Sequence, residues 1–209
     1  MAPIHINLAV EDALSEMVLR KILRESPKPF VVSACFCRGG FGYLKKNIRG
    51  FNHAARSVPF LMLADLDQAD CPPGMLEEWL PLAKHHKFLF RIAVREVEAW
   101  LLAHREAFAD FLGIQPRLIP LEVDAIVDPK RLLISLAKKS KKRHVREGIV
   151  PSQQSTAQIG PDYNGQLSFY VEKFWKTAKA AQNSPSLQHT VSAIADFNPR
   201  LKNKNPAID

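Results

Sequence analysis

The sequence predicts an α/β fold: a mainly parallel four-stranded sheet flanked by helices and followed by a helical C-terminal extension. Short apolar runs alternate along the first half of the chain with segments whose apolar residues recur at helical spacing. Strands that alternate with helices form parallel sheets, because each helix carries the chain back to the start of the next strand. We place the α/β core in residues 1–113 and the basic, helical extension in residues 114–209.

The predicted elements follow one another from the N-terminus. Strands are predicted at residues 4–10, 30–36, 59–64 and 87–94, which are rich in apolar, β-branched and aromatic residues. Core helices are predicted from Asp12, as N-cap, to before Pro27, and at residues 43–56, 75–86 and 97–112. The extension is predicted to hold a helix at residues 129–140 and two final helices. The run PFLMLA before Asp65 is unbroken, which is typical of a central parallel strand covered on both faces.

Composition and charge limit the class of protein. Hydrophobic residues make up 46% of the 209 and charged residues 24%, as in a folded globular protein. No apolar run reaches the roughly 18 residues of a membrane span, and the N-terminus lacks the layout of a signal peptide, so we expect a cytoplasmic protein. Three cysteines without CxxC spacing disfavour a disulfide framework and structural zinc. The net charge of +8 favours an anionic partner such as nucleic acid.

Acidic residues follow two of the predicted strands. Glu11 comes after the first strand, and Asp65 and Asp67 come after the third. Functional groups gather at the carboxyl ends of parallel strands, so we expect these three side chains to converge. Aspartates two apart on an extended segment also point to the same side. Carboxylate oxygens bind hard cations, and the sequence therefore predicts a Mg²⁺ or Mn²⁺ site that promotes phosphodiester hydrolysis, with Glu11 as ligand or acid–base group.

Two further carboxylates are candidate ligands. Glu16 lies one helical turn beyond Glu11, and Glu98 lies at the start of the helix after the fourth strand. Acidic residues in the first turn of a helix also interact favourably with the helix dipole. For both residues this structural interpretation stands evenly beside metal binding.

The same motifs resemble a known superfamily. A glutamate after strand one and an Asp-x-Asp after strand three resemble the Toprim domain of topoisomerases, primases and nucleases, and VEDALSE is similar to the motif of the overcoming-lysogenization-defect nucleases. Within that superfamily the chain resembles a bacterial family catalogued only as a domain of unknown function. The resemblance covers residues up to about Phe197 and rests on VEDALSE, LADLDQAD, REVEAWLLA and IGPDYN. One departure is Asp12, where many Toprim domains carry glycine.

The resemblance implies a metal-dependent nuclease that acts on DNA or on a structured RNA such as tRNA. It also implies a partner ATPase, as in prophage or anti-phage defence modules. The alternative is a non-catalytic Toprim-like module that binds nucleic acid or the ATPase and retains the acidic residues for structural Mg²⁺.

Basic residues are candidates for binding the phosphate backbone. Those predicted to do so are Arg38, Lys45, Lys46, Arg95, Lys138, Lys139, Lys141, Lys142 and Arg143. The segment CRGGFGYLKK is also typical of a tight strand-to-helix turn, and a run of lysines is often a solvated helix end. The net charge favours nucleic-acid contact for the run that begins at Lys138.

Two other interpretations of these motifs are weaker. LADLDQA resembles the nucleophile motif of haloacid-dehalogenase-type phosphatases, but that motif normally follows the first strand of its fold. Tyr163, in IGPDYN, resembles a topoisomerase nucleophile only superficially, and we predict a buried or turn-stabilising tyrosine instead. Trp100 is predicted to lie in the core.

Overall fold

The sheet is four-stranded and entirely parallel in the computed structural model, which describes residues 2–200. Its strands are β1 (Ile4–Val10), β2 (Phe30–Cys37), β3 (Phe60–Asp65) and β4 (Phe88–Ala93). They lie side by side in the order β2-β1-β3-β4. The predicted fold class is confirmed, and the architecture is consistent with a Toprim or Rossmann-like fold.

Ten α-helices surround the sheet and form the extension in the part of the chain that the structure describes. They are α1 (Ala13–Glu25), α2 (Gly40–Ala54), α3 (Pro72–Trp79), α4 (Val97–Ala103), α5 (Arg105–Leu112), α6 (Pro129–Lys138), α7 (Arg143–Ile149), α8 (Tyr163–Lys173), α9 (Thr177–Ala180) and α10 (Pro185–Asp196). Two short 3₁₀ turns, Pro116–Leu118 and Val123–Ala125, precede α6. None of the helices within residues 2–200 has the length and apolar character needed to cross a membrane.

The two faces of the sheet are covered by separate apolar clusters. Helices α2 and α3 contribute to a smaller cluster on one side, built around Phe60, Met62 and Trp79. On the other side, α1 and α4 pack with helices of the extension in a larger cluster that contains Trp100 and Trp175, both fully buried. Core and extension therefore share one hydrophobic cluster. Residues 201–209 of the predicted extension lie outside the described residues.

Several predicted helices differ from the structure. The two final helices predicted for the extension are three: α8, α9 and α10. The helix predicted at residues 75–86 is Pro72–Trp79, because its first turn accommodates proline and Pro81 follows its end. The single helix predicted at residues 97–112 is divided into α4 and α5 at His104, whose φ of −88° and ψ of 65° are not helical.

Contacts from the extension explain why the helix predicted at residues 97–112 breaks at His104. The indole nitrogen of Trp175 donates to the carbonyl of Trp100 at 2.9 Å, and the amide of Asn183 donates to the carbonyl of Ala103 at 2.9 Å. These carbonyls would otherwise accept hydrogen bonds within a continuous helix. Tertiary contacts thus replace helical hydrogen bonds at a position where the local sequence predicts an uninterrupted helix.

Candidate active site

Glu11 and Asp65 meet at the carboxyl edge of the sheet. Strands β1 and β3 are neighbours, and Glu11 directly follows β1 while Asp65 ends β3. The Glu11 carboxylate accepts a hydrogen bond through Oε1 from the backbone N–H of Asp65 at 2.9 Å. Asp12 caps α1 by accepting from the N–H of Ser15 at 2.8 Å, which starts the helix immediately after Glu11.

Asp65 also contacts the helix that follows β4. Its Oδ1 accepts a hydrogen bond from the backbone N–H of Val97 at 3.0 Å, at the first turn of α4. One carboxylate thus links the ends of two adjacent strands and fixes how α4 leaves the sheet.

Asp67 is placed differently from the prediction that it extends the strand. Its φ of 48° lies in the left-handed region, which non-glycine residues seldom adopt and Asp tolerates better than most. The chain turns after β3, and the same-side rule for extended segments does not apply to this pair. Arg95 braces the turn, because its guanidinium donates to the carbonyls of Asp67 at 3.0 Å and Ala69 at 2.8 Å. These contacts give Arg95 a structural role that the predicted phosphate contact did not include.

Glu98 is the most buried carboxylate of the site. Its side chain is 2% exposed, and Oε1 accepts a hydrogen bond from the hydroxyl of Tyr163 at 2.8 Å. The other oxygen, Oε2, is buried and has no hydrogen-bond partner within the described chain. An unpartnered buried carboxylate oxygen is unfavourable unless a cation or proton compensates it.

Lys130 provides a cation from the extension. Its Nζ lies 3.6 Å from Oε1 of Glu98 and 3.6 Å from Oε1 of Glu96, and its backbone N–H donates to Oε2 of Glu96 at 2.8 Å. Burial lowers the pKa of Lys130, but the carboxylates of Glu98 and Glu96 outweigh that effect and raise it above its usual value. Lys130 therefore remains charged and offsets part of the negative charge.

Burial, helped by neighbouring negative charge, raises the pKa values of the carboxylates. Burial raises the pKa of Glu11 to about 7 against the opposing hydrogen bond from Asp65, and Asp67 adds to the rise. Burial, followed by the carboxylates of Glu98 and Glu11, raises the pKa of Asp65 well above its usual range. Burial also raises the pKa of Glu98 to about 7 although Lys130 lowers it. We refer to Glu11, Asp65, Asp67 and Glu98 as the acidic site.

The donor chemistry of the acidic site fits a hard divalent cation. All of its side-chain donors are carboxylate oxygens, the pKa values of Glu11 and Asp65 are raised in part by the other carboxylates of the site, and Oε2 of Glu98 is unpartnered among the described residues. Within residues 2–200, no three His, Cys, Asp or Glu side chains are grouped closely enough to hold a metal ion as they stand. An ion shared by Glu11, Asp65 and Asp67 would thus require these side chains to move together.

Glu16 lies apart from the other carboxylates. It pairs with Arg20 on the next turn of α1, with Oε1 2.7 Å from the guanidinium Nε, and it sits beside Cys35 of β2. The contact between Glu16 and Arg20 is an ion pair between residues four apart on a helix surface. The structure therefore does not bring Glu16 into the acidic site.

The predicted phosphate-binding residues are dispersed. Arg38 is exposed at the end of β2, and Lys46 is exposed on α2. Lys45 pairs with Glu78 of α3 at 2.6 Å. The run predicted from Lys138 onward ends α6 and begins α7, a helix that the sequence did not predict.

Sequence reasoning missed the contributions of Lys130 and Tyr163 to the site. Lys130 stands at the start of α6 and Tyr163 at the start of α8, far from the acidic residues along the chain. The prediction that Tyr163 is buried is confirmed, because it is 3% exposed. Burial and Glu98 raise its pKa, which keeps the phenol protonated as a hydrogen-bond donor. The motif IGPDYN singles out Tyr163 in the sequence, but it does not indicate that Glu98 is the partner of this tyrosine.

No protein-family model matches this chain, and no curated protein or solved structure matches it either. The geometry and charge of the acidic site are therefore the observations that point to a function.

Proposed function

We propose that this protein hydrolyses phosphodiester bonds in nucleic acid with a divalent cation held by Glu11, Asp65 and Asp67. The observation that supports this most is the concentration of carboxylates at the ends of β1 and β3, where Glu11 directly contacts the backbone of Asp65. A protein gains no stability from crowding like charges in a partly buried place, and such sites are concentrated where chemistry occurs.

The residues of the acidic site would have different roles in this reaction. Glu11, Asp65 and Asp67 would hold the cation, and Glu98 would contribute from the buried side through its unpartnered oxygen. A bound divalent cation supplies neutralisation of phosphate charge and activation of a water nucleophile. Arg95 holds the turn that carries Asp67, and the N–H groups of Asp65 and Val97 orient two of the carboxylates.

Either Glu11 or the attacking water would handle the proton. In the protein without a cation, burial raises the pKa of Glu11 to about 7, near the operating pH at which a general acid–base group works best. A cation held by this carboxylate would lower that pKa. Lys130 remains protonated beside the carboxylates and provides a fixed positive charge at the side of the site that faces the extension.

A second candidate is the non-catalytic module that binds nucleic acid or a partner protein. Lys130 favours it, because this ammonium already offsets the charge of Glu96 and Glu98 without an added ion. A partner ATPase is compatible with both candidate functions, and its proposal rests on the Toprim resemblance alone.

A cleavage assay separates the two candidates. Purified protein is incubated with plasmid, single-stranded DNA or total tRNA in Mg²⁺, Mn²⁺ or chelator. The nuclease proposal expects metal-dependent cleavage that Asp65→Asn/Asp67→Asn abolishes. Asp70→Asn is the matched control, because Asp70 is an exposed carboxylate just beyond the same turn. If the unmodified protein cleaves none of these substrates but still binds nucleic acid, the non-catalytic module is favoured.

A further inference from the structure

A surface pocket of about 570 Å³ lies beside the acidic site along helix α6. Lys130 connects the two places, because its Nζ is 3.6 Å from Glu98 and the same residue lines the pocket. A molecule that occupies this pocket, which we call the α6 pocket, therefore lies next to the acidic site.

The charges that line the α6 pocket favour an anion. Its cationic residues are Lys130, Arg131 and Lys138, and Ser135 and Gln158 add neutral polar groups. Asp128 is the one carboxylate among the described residues that line it, and its Oδ1 already accepts a hydrogen bond from the N–H of Arg131 at 2.8 Å. Arg131 and Lys138 make no ion pair among the described residues, whereas the ammonium of Lys130 already pairs with Glu96 and Glu98. Two uncommitted cations thus face one carboxylate that is engaged in capping α6.

The cations are arranged along one side of the helix. Arg131 and Lys138 line the same pocket as Ile134 and Ser135 between them, as expected of residues at helical spacing. Arg131 and Lys138 are seven residues apart on α6, which corresponds to about 10 Å along a helix. Along the axis of a duplex, each strand carries one phosphate every 3.4 Å or so, and successive phosphates lie somewhat farther apart along the backbone itself. This side of α6 is therefore long enough to contact more than one phosphate.

We infer that the α6 pocket binds the phosphodiester backbone of the nucleic-acid strand that reaches the acidic site. This inference rests on the proposed function, which it deepens by assigning the path of the substrate. A single phosphate or small anion would use only part of a row of cations of this length. A polymer with regularly spaced phosphates uses all of it.

The basic segment that begins at Lys138 falls into two parts. Lys138 lines the pocket, whereas Lys142 donates to the carbonyl of Asp110 at 2.7 Å and Arg143 pairs with Glu147 at 2.7 Å. Lys142 and Arg143 are thus already engaged within the protein. Their positive charge contributes to the general field and not to the proposed pocket.

Binding can be measured without cleavage. Fluorescence anisotropy of labelled single-stranded DNA and RNA is recorded with the full chain in chelator, over a series of salt concentrations. Arg131→Ala/Lys138→Ala removes two cations of the pocket. Lys139→Ala/Lys141→Ala is the matched control, because it removes two exposed cations next to the same helix end that do not line the pocket. Circular dichroism checks that both variants remain folded.

We expect the pocket variant to bind at least about tenfold more weakly, with the salt slope of binding reduced by about 1.4 for two lost phosphate contacts on a single strand. The control should lose about twofold or less, because Lys139 and Lys141 do not line the pocket and act only through a field that salt screens. Comparison of the DNA and RNA arms shows which sugar the pocket accepts.

Equal weakening by the two variants would overturn the inference, because the basic segment would then act as a diffuse charged surface. Unchanged binding by the pocket variant, or no binding of either nucleic acid by the unmodified protein, would overturn it as well. Failure of the pocket and failure of the proposed function give different results in these experiments. Pocket-dependent binding without metal-dependent cleavage would retain the pocket and reject the nuclease, whereas cleavage with pocket-independent binding would do the opposite.

Discussion

The ammonium of Lys130 lies 3.6 Å from Oε1 of Glu98, and this contact joins the extension to the edge of the sheet. The same oxygen accepts a hydrogen bond from the hydroxyl of Tyr163 at 2.8 Å. Both partners come from the extension, and Glu98 comes from the first turn of α4. The electrostatic environment of the acidic site is therefore completed by residues that lie beyond the α/β core.

Replacing Lys130 should expose the excess negative charge of the site. We expect Lys130→Met to lower the free energy of unfolding by about 1–2 kcal/mol at pH 8, since an ion pair with one buried partner is broken. The loss should be smaller at pH 5, because Glu98, whose pKa is about 7, is then protonated. Chemical denaturation at both pH values measures this difference. Lys139→Met, at an exposed position, is the control, and an equal loss at the two pH values would contradict the account.

Removing the hydroxyl of Tyr163 tests the hydrogen bond to Glu98. Tyr163→Phe leaves both oxygens of a buried carboxylate without a hydroxyl donor, and we expect destabilisation of about 1–3 kcal/mol. Tyr170→Phe is the comparison, because that hydroxyl is 3.4 Å from the carbonyls of Leu101 and His104 and makes weaker contacts. Thermal unfolding of both variants ranks the two hydroxyls, and a larger effect at Tyr170 would refute the assigned role of Tyr163.

Gly160 positions the segment that leads to Tyr163. A side chain there would overlap the carbonyl oxygen of Gly148 and lie 2.5 Å from the carbonyl carbon of Ile149. We expect Gly160→Ala to destabilise the protein by about 1–3 kcal/mol through overpacking against backbone. Gly50→Ala faces open space within α2 and should instead stabilise by about 0.5–1 kcal/mol. Urea denaturation distinguishes these opposite signs, and tolerance of Gly160→Ala would count against the close approach.

Stability without divalent cations should fall as the pH rises. Glu11 and Glu98 have pKa values of about 7 in the folded protein against an ordinary value of 4.5, so the folded state binds more protons between these limits. Their contribution is complete below pH 4.5 and is lost as the pH rises through about 7. We expect the melting temperature in chelator to drop over this interval, and to drop less in Glu11→Gln. Mg²⁺ should raise it at pH 8 more than at pH 5.

Local patterns predicted much of the sheet and its edge. The unbroken apolar run before Asp65 predicted a central strand. Asp12 predicted the start of α1, where its side chain accepts a hydrogen bond from the N–H of Ser15. Position in a parallel sheet then placed Glu11 near Asp65. These features depend on residues close together in sequence and on one topological rule, so a single sequence is enough to predict them.

The parts that sequence did not predict depend on distant contacts. The break at His104 follows from side chains of the extension that bond the carbonyls of α4. Lys130 and Tyr163 reach Glu98 because α6 packs against α4 and α8 packs against α1. Asp67 departs from the predicted extended geometry because Arg95 holds its turn. No spacing rule relates these residues to one another before the tertiary structure is known.

Glu11→Gln provides the most direct test of the central claim that the acidic site performs chemistry. The amide retains an oxygen that accepts from the N–H of Asp65 and removes one charge from the crowded site. We predict that this variant is at least as stable as the unmodified protein in chelator at pH 8 and loses metal-dependent cleavage of nucleic acid. Cleavage by Glu11→Gln at the rate of the unmodified protein would contradict the account, because the carboxylate would then be dispensable for catalysis.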